Sequence, residues 1–148
     1  MVKLPLMREI FLERNDKNKR GFYMYELEVF DTFDAAHRVV GYPGKCDRLH
    51  GHTWKVAVHV AGTELDSIGM LVDFKKLKEI LKGITEEFDH TFLNEHEAFN
   101  GKNPTAENIA RYIYQVYAKK LRAENPSVRL SDVRVWESPG SSVTYRED

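Results

Sequence analysis

Three histidines and the single cysteine of this chain fall within 16 consecutive positions, and their spacing is typical of a metal site. His50 and His52 flank a glycine, and side chains two residues apart in a strand point the same way, about 6.6 Å from each other. His37 lies on the apolar parity at the end of an earlier predicted strand, which antiparallel pairing would bring beside His50. Three neutral imidazoles around one ion, with one position left open, are the pattern of catalytic zinc.

Each of these histidines, taken singly, could instead be a core residue with a satisfied hydrogen bond. The His-Gly-His pair together with His37 on a matching parity favours the metal. Zinc is expected rather than iron, because no carboxylate lies near the three histidines in sequence to complete a facial triad. His59, on the polar face of its strand, and His96, in a polar loop, are expected at the surface.

Cys46 precedes the His-Gly-His pair in a loop, where Lys45 and Arg48 would favour its thiolate. Three interpretations stay open for it. Cys46 could be a fourth zinc ligand that closes the site, an inert small apolar residue, or a base or nucleophile directed at whatever the metal polarises. The polar and basic neighbours make the inert interpretation the weakest.

Two further places in the sequence could take part in chemistry. Glu137 continues the inward parity of Val133 and Val135, and a buried carboxylate needs a partner. That partner could be an arginine of the fold, or a ligand with two adjacent N–H donors such as an aminopyrimidinone ring. Asp89 and His90 end a predicted helix, where they could be an acid–base pair or only a cap and a surface charge; adjacent side chains are expected to diverge.

The elements that must position these residues follow from hydrophobic periodicity. Alternating apolar residues predict strands from Tyr25 and from Trp54, and two closing strands around Val133–Val135 and Ser142–Arg146. Helical spacing predicts one helix from the N-cap Asp73 to Phe88 and a second that begins in Asn103–Asn108 and ends at Asn125-Pro126. The class is α+β, an antiparallel sheet with two helices on one face.

Composition narrows the function further. The 148 residues are the length of one domain, and 42% hydrophobic with 30% charged residues fits a folded protein. A formal charge of −1 gives no reason to expect nucleic acid or a membrane surface as a partner. A single cysteine excludes an internal disulfide, and we expect a cytoplasmic protein. Residues 1–21 are expected to be an N-terminal extension, and residues 22–148 a single domain.

Several motifs together resemble those of the 6-pyruvoyl-tetrahydropterin synthase family, from about Tyr25 to Arg146. They are Phe33-Asp-Ala-Ala-His37, Cys46-Asp-Arg-Leu-His-Gly-His52, Gly69-Met-Leu-Val-Asp73, Asp89-His90, Asn103-Pro-Thr-Ala-Glu-Asn108 and Trp136-Glu137. The resemblance implies a T-fold subunit, a four-stranded antiparallel sheet with two helices on one face. Such subunits form an oligomeric barrel, commonly a hexamer of two trimers, with active sites between subunits.

The resemblance also implies roles for individual residues. His37, His50 and His52 match the zinc ligands, and Cys46 matches the general base. Asp89 and His90, from a neighbouring subunit, match the relay partner of this base. Glu137 matches the residue that anchors the pterin, and Thr105 and Glu107 match positions near the pterin pocket. Lys45, Arg48 and Lys102 could contact a triphosphate or be ordinary surface cations.

Within the family, the short Cys-x-x-x-His-Gly-His spacing resembles the bacterial queuosine-pathway branch. That branch makes 6-carboxy-5,6,7,8-tetrahydropterin from 7,8-dihydroneopterin triphosphate and releases acetaldehyde and triphosphate. The expected activity is therefore that of a zinc-dependent carbon–carbon lyase. Pyruvoyl-tetrahydropterin formation and a non-catalytic zinc or pterin-binding module stay open as alternatives.

Overall fold

Two long antiparallel strands form the centre of the sheet in the computed structural model, which describes residues 24–148. In chain order the elements are β1 (Tyr25–His37), β2 (His50–Gly62), α1 (Phe74–Phe88), β3 (Thr91–Phe92), α2 (Ala106–Glu124), β4 (Arg129–Ser138) and β5 (Ser141–Tyr145). The expected N-terminal extension, residues 1–21, lies outside the described residues. Among residues 24–148, no helix is both long and apolar enough to cross a bilayer.

The strands β1 and β2 pair over all 13 residues of each, from Tyr25 opposite Gly62 to His37 opposite His50. Along both strands, the predicted apolar parity faces the core, and Trp54 and Val56 at 0% exposure are buried completely. The period-two pattern therefore predicted which side chains of each strand face the core, because a shift by one residue would expose the apolar side chains.

The sheet has five strands in the order β3-β1-β2-β4-β5, one more than expected. The additional strand, β3, has two residues and runs parallel to β1, with Ala35 opposite Thr91. The sequence did not indicate it because two residues are too few to show any periodicity. The other four strands and the α+β class were predicted correctly.

Both helices pack on the apolar face of the sheet, α1 against β1 and α2 against β4 and β5. The Asp73 side chain caps α1 by accepting from the Lys75 amide at 2.8 Å, as predicted. Phe74, at the first turn of α1, is 52% exposed. The buried Tyr117 hydroxyl donates to the Leu77 carbonyl oxygen at 2.9 Å and joins the two helices.

Among residues 24–148, no helix covers the opposite face of the sheet, which is lined by charged and aromatic side chains. His59 was expected at the surface, yet its side chain is only 18% exposed. Its Nε2 lies 2.6 Å from a Glu28 carboxylate oxygen and its Nδ1 2.6 Å from an Asp132 carboxylate oxygen. Hydrogen bonds across three neighbouring strands, β1, β2 and β4, thus hold this histidine.

Candidate metal centre and active site

The register of β1 and β2 brings the three predicted histidines together. His37 lies opposite His50, and the ring centroids are 4.5 Å apart for His37–His50, 5.1 Å for His37–His52 and 4.8 Å for His50–His52. One ring nitrogen from each lies within 4.8 Å of the other two. We call His37, His50 and His52 the histidine group, and it could hold a metal ion.

Hydrogen bonds at Nδ1 determine the tautomer of two of these rings, those of His37 and His50. The Nδ1 of His37 lies 2.8 Å from the Pro104 carbonyl oxygen, and the Nδ1 of His50 lies 2.7 Å from that of Arg48. A carbonyl oxygen can only accept, so Nδ1 carries the proton in both rings and Nε2 keeps its lone pair. In a metal-ligating histidine, the ring nitrogen that does not bind the metal usually donates a hydrogen bond to a backbone carbonyl or a carboxylate.

The Nε2 atoms of His37 and His52 are available to bind an ion. Within the described residues, His37 Nε2 and His52 Nε2 are buried and have no hydrogen-bond partner. An unpaired buried ring nitrogen loses the hydrogen bond that water would give it, and a metal ion would compensate for that loss. Burial lowers the pKa of both His37 and His52, which favours the neutral imidazole that a metal requires.

Glu137 lies beside the histidine group at the end of β4. Its two carboxylate oxygens are 4.0 Å from His37 Nε2 and 3.8 Å from His52 Nε2. Glu137 is not the buried residue that we expected, since its side chain is 35% exposed. The sequence placed no carboxylate near the histidines, but the pairing of β4 with β2 brings one to them.

Cys46 lies in a single turn of 3-10 helix, Lys45–Asp47, and is half-buried. Of the residues that the structure describes, the histidine group has three members and Cys46 is not one of them. The Cys46 sulfur therefore does not lie as close to the three imidazole nitrogens as a fourth ligand of the same ion would. The neighbouring cations Lys45 and Arg48 are exposed, as is Lys102.

Asp89 and His90 follow α1 and form a hydrogen-bonded pair, with 2.9 Å between Asp89 Oδ2 and His90 Nδ1. The expectation that these adjacent side chains diverge was wrong. His90 has a φ of +57°, and this left-handed conformation turns its ring back towards Asp89. The His90 amide donates to the Asp34 carbonyl oxygen at 2.6 Å, and the Asp34 amide donates to Asp89 Oδ1 at 2.9 Å.

These contacts shift the pKa of both members of the pair. The hydrogen bond from the Asp34 amide, and then the one from His90, lower the pKa of Asp89. The hydrogen bond to Asp89 and its charge raise the pKa of His90. The pair is thus biased towards a carboxylate beside an imidazolium.

The Asp89–His90 pair and the histidine group lie on opposite sides of the sheet. The Asp34 carboxylate, which belongs to the same cluster as the pair, accepts a hydrogen bond from the Thr53 hydroxyl. Asp34 and Thr53 have the strand parity opposite to that of His37 and His52. Within one chain, therefore, the pair does not join the histidine group.

Thr105 and Glu107 lie at the start of α2. The Thr105 hydroxyl caps the helix by accepting from the Asn108 amide at 3.2 Å, and Glu107 is exposed in the first turn. Thr105 follows Pro104, whose carbonyl oxygen binds His37. Sequence reasoning recognised this segment as a helix start but missed its contact with the histidine group, since a backbone carbonyl leaves no signal in residue types.

The sequence also missed Asn94 and Asn103. Asn94 contacts the backbone of Arg38 and Asn103 that of Val40, just beyond the end of β1. In the sequence, Asn94 appears only at the edge of a polar loop and Asn103 only as part of a helix start, because nothing in residue type indicates which backbone an amide will contact.

Fold and site together define an α+β protein in which three histidines at the end of two paired strands could hold a metal ion, beside a carboxylate. The chain belongs to the 6-pyruvoyl tetrahydropterin synthase family, whose family model matches residues 26–148. The predictions of this family, of the T-fold and of an enzyme of the pterin synthase type are confirmed.

Relatives with established names include two bacterial proteins called 6-carboxy-5,6,7,8-tetrahydropterin synthase. The one from Bacillus subtilis is 39% identical over 132 residues, covering 84% of this chain and 86% of its own. The one from Haemophilus influenzae is 34% identical, covering 84% of this chain and 100% of its own. Among solved structures, 6-pyruvoyl tetrahydropterin synthase from Caenorhabditis elegans superposes with a TM-score of 0.73 at 29% identity, covering 85% of this chain and 97% of its own.

Proposed function

We propose that this protein is a zinc-dependent lyase that converts 7,8-dihydroneopterin triphosphate to 6-carboxy-5,6,7,8-tetrahydropterin, with release of acetaldehyde and triphosphate, in queuosine biosynthesis. The observation that carries the proposal is the histidine group, with unpaired Nε2 atoms on His37 and His52. The bacterial relatives named for the 6-carboxy product, at 39% and 34% identity, favour that product.

The zinc ion would be held by His37, His50 and His52. The hydrogen bonds at Nδ1 of His37 and His50 orient those two rings, and Nε2 is the atom that would bind. When bound, zinc supplies a Lewis acid that polarises an oxygen of the substrate side chain. Cys46 lies outside this ligand set, so a zinc ion held by the three histidines would have its fourth position available to the substrate.

The proton transfers are assigned to Cys46 and to the Asp89–His90 pair. Cys46 moves a proton at the substrate side chain, and His90, with Asp89 behind it, moves a second one. Asp89 supports His90 in the way that a carboxylate orients the histidine of a catalytic triad, through a hydrogen bond of 2.9 Å to Nδ1.

The pterin ring is assigned to Glu137. Its carboxylate faces the histidine group and is 35% exposed, so a ligand can reach it. Two carboxylate oxygens match the amino group and the adjacent ring N–H of a pterin in a bidentate contact. Thr105 and Glu107 would lie near this pocket, and Lys45, Arg48 and Lys102 would contact the triphosphate.

The active site would be completed between subunits of a homo-oligomer, a hexamer of two trimers. The supporting observation is that the Asp89–His90 pair and the histidine group lie on opposite sides of the sheet. Both can act on one substrate only if the pair comes from one chain and the histidine group from its neighbour.

The test is to incubate the zinc-loaded protein with 7,8-dihydroneopterin triphosphate and to measure acetaldehyde, triphosphate and the mass of the pterin product. Acetaldehyde together with the 6-carboxy product supports the proposal. Triphosphate without acetaldehyde indicates the 6-pyruvoyl product instead, and the absence of turnover indicates a binding module. His52→Ala is the control, because it removes one proposed zinc ligand.

A further inference from the structure

The segment that leads from β1 to the Cys46 turn is held by two asparagine side chains. Asn94 Oδ1 accepts from the Arg38 amide at 2.9 Å, and Asn94 Nδ2 donates to the Arg38 carbonyl oxygen at 2.9 Å. One side-chain amide thus satisfies both backbone groups of one residue, as a neighbouring strand would. We call this arrangement an amide clamp.

Asn103 forms a second amide clamp two residues further on. Its Oδ1 accepts from the Val40 amide at 2.9 Å, and its Nδ2 donates to the Val40 carbonyl oxygen at 3.0 Å. The Asn108 side chain donates to the Asn103 carbonyl oxygen at 2.8 Å and ties this clamp to the first turn of α2. The clamps therefore connect the segment to two separate parts of the fold.

The residue between the clamped positions contacts the cysteine. In extended backbone, the polar groups of consecutive residues point to opposite sides, and those of alternate residues point to the same side. With Arg38 and Val40 bound to the asparagines, the Val39 amide points the other way and donates to the Cys46 carbonyl oxygen at 2.7 Å. The clamps thus connect Asn94 and Asn103 to Cys46 through one backbone hydrogen bond.

The other contacts of the Cys46 turn among the described residues are local backbone bonds and one exposed ion pair. The Asp47 amide donates to the Gly44 carbonyl oxygen at 3.2 Å, and the Arg48 amide donates to that of Lys45 at 3.0 Å. None of its residues, Lys45–Asp47, is buried, and no side chain caps its start. The ion pair between Arg38 and Asp47 is 2.9 Å long, but both side chains are more than 40% exposed. Exposed ion pairs contribute about 0–1 kcal/mol, so this pair is a weak restraint.

We propose that Asn94 and Asn103 are positioning residues that hold the Cys46 thiol in place for proton transfer. This inference rests on the proposed function, in which Cys46 moves a proton. A general base must come within about 2.6–3.2 Å of the proton that it takes. A thiol on an exposed turn meets that requirement only if its backbone is restrained, and the amide clamps provide the restraint.

Alkylation of Cys46 by iodoacetamide tests the proposal without depending on turnover. Cys46 is the only cysteine of the chain, so the rate belongs to one thiol. The variants are Asn94→Ala and Asn103→Ala, measured as full-length zinc-loaded protein. The matched control is Asn125→Ala, because Asn125 also binds backbone, accepting from the Ser127 amide at 3.1 Å, but at the far end of α2.

Asn94→Ala is expected to retain its zinc and its KM, while kcat falls by about 10–100-fold as the thiol moves by a fraction of an ångström to an ångström. Alkylation of Cys46 should become at least about threefold faster, because thiol reactivity depends on access as well as on thiolate content. Asn103→Ala should show the same changes in kcat and in the alkylation rate. It should also lose some zinc, because Asn103 precedes Pro104, whose carbonyl oxygen orients the proposed zinc ligand His37. Asn125→Ala should match the wild type in every measurement.

Unchanged alkylation in Asn94→Ala overturns the proposal, whether or not kcat falls. If Asn94→Ala does not fold, Asn94→Asp takes its place. It keeps the acceptor for the Arg38 amide but replaces the donor with a carboxylate oxygen that repels the Arg38 carbonyl oxygen. An alkylation rate equal to that of the wild type would then count against the clamp. If the wild type does not turn over dihydroneopterin triphosphate, the proposed function fails, while the alkylation rates still decide whether the clamps hold the thiol.

Discussion

The Nδ1 atom of His37 donates to the carbonyl oxygen of Pro104 at 2.8 Å, which joins the end of β1 to the residue before the Thr105 cap of α2. His37 is 1% exposed, so this bond is shielded from water and fixes the ring firmly. The position of α2 therefore determines where His37 Nε2 points, and with it the geometry of the histidine group.

Cys46→Ala is expected to keep about one zinc per chain and to lose at least about a hundredfold in kcat, the usual contribution of a general base. Zinc should be retained because the Cys46 sulfur does not lie with the three imidazole nitrogens that would bind the ion. Zinc is measured by atomic absorption after dialysis, and kcat by acetaldehyde release. His52→Ala is the comparison and should lose zinc. Loss of zinc in Cys46→Ala as well would make the thiol a ligand and the site structural.

Glu137→Gln is expected to raise KM for the pterin substrate by at least about tenfold, since a bidentate contact to a charged carboxylate contributes about 1.5–3 kcal/mol. The zinc content should stay unchanged, because the carboxylate oxygens lie 3.8 Å and 4.0 Å from the nearest ring nitrogens of the histidine group. Substrate binding is measured by isothermal titration with 7,8-dihydroneopterin.

Glu79→Gln is the control for that measurement, as Glu79 is exposed on α1 and has no proposed role in the site. Two results would contradict the anchor role of Glu137. Unchanged pterin affinity would show that Glu137 does not hold the ring, and lost zinc would show that it completes the metal site instead.

The histidine group was predictable because it depends on two regular properties, strand parity and antiparallel pairing. Once His37 and the His50–His52 pair are placed on the apolar parity of neighbouring strands, their convergence follows without further information. The resemblance to the family implied a place for Glu137 in the site, but strand parity alone could not predict its approach to the histidines, because that approach requires β4 to lie beside β2 rather than beside β5 alone. Strand order is a property of the whole sheet, and no local pattern contains it.

The Asp89–His90 contact was missed for a different reason. It depends on a single backbone angle, the φ of +57° at His90, which is uncommon for a residue other than glycine. Backbone bonds to Asp34, 55 residues away from Asp89, hold that angle. Sequence reasoning assumed ordinary backbone at the helix end, and ordinary backbone would have separated the two side chains.

Asp89→Asn is expected to lower the pKa of His90. In the wild type the hydrogen bond to Asp89 and its charge raise that pKa above the ordinary value of 6.5, so His90 keeps its proton to higher pH. An asparagine can still accept from the Asp34 amide, which preserves the turn, but it carries no charge. The titration is measured by NMR of the His90 ring protons, assigned by their loss in His90→Gln.

Asp34→Asn should shift the same titration in the same direction by a smaller amount, because the Asp34 charge makes a lesser contribution to the pKa of His90. Where the rate depends on the protonation of His90, the corresponding limb of the pH–rate profile should move to lower pH in Asp89→Asn. A His90 titration that is identical in Asp89→Asn and in the wild type would show that the pair is not coupled in solution.

His59→Gln is expected to destabilise the fold more at pH 6 than at pH 9. Burial by itself lowers the pKa of His59, but the hydrogen bonds to Asp132 and Glu28 outweigh it and raise the pKa above 6.5. Because the folded pKa exceeds the unfolded one, this stabilisation is fully present below about pH 6.5 and is lost as pH rises through the folded pKa. The loss at pH 6 should be about 1–3 kcal/mol, as for charged hydrogen bonds.

Urea unfolding at one fixed protein concentration measures the difference, since assembly would otherwise change the apparent stability. Lys76→Gln is the matched control. Lys76 also pairs with a carboxylate, that of Glu124 at 2.9 Å, but its side chain is 57% exposed and it stays protonated at both pH values. Its small effect should therefore be equal at pH 6 and pH 9. An equal loss for His59→Gln at the two pH values would mean that the pKa of His59 is the same in the folded and the unfolded protein, so that its contacts with Glu28 and Asp132 do not favour the imidazolium.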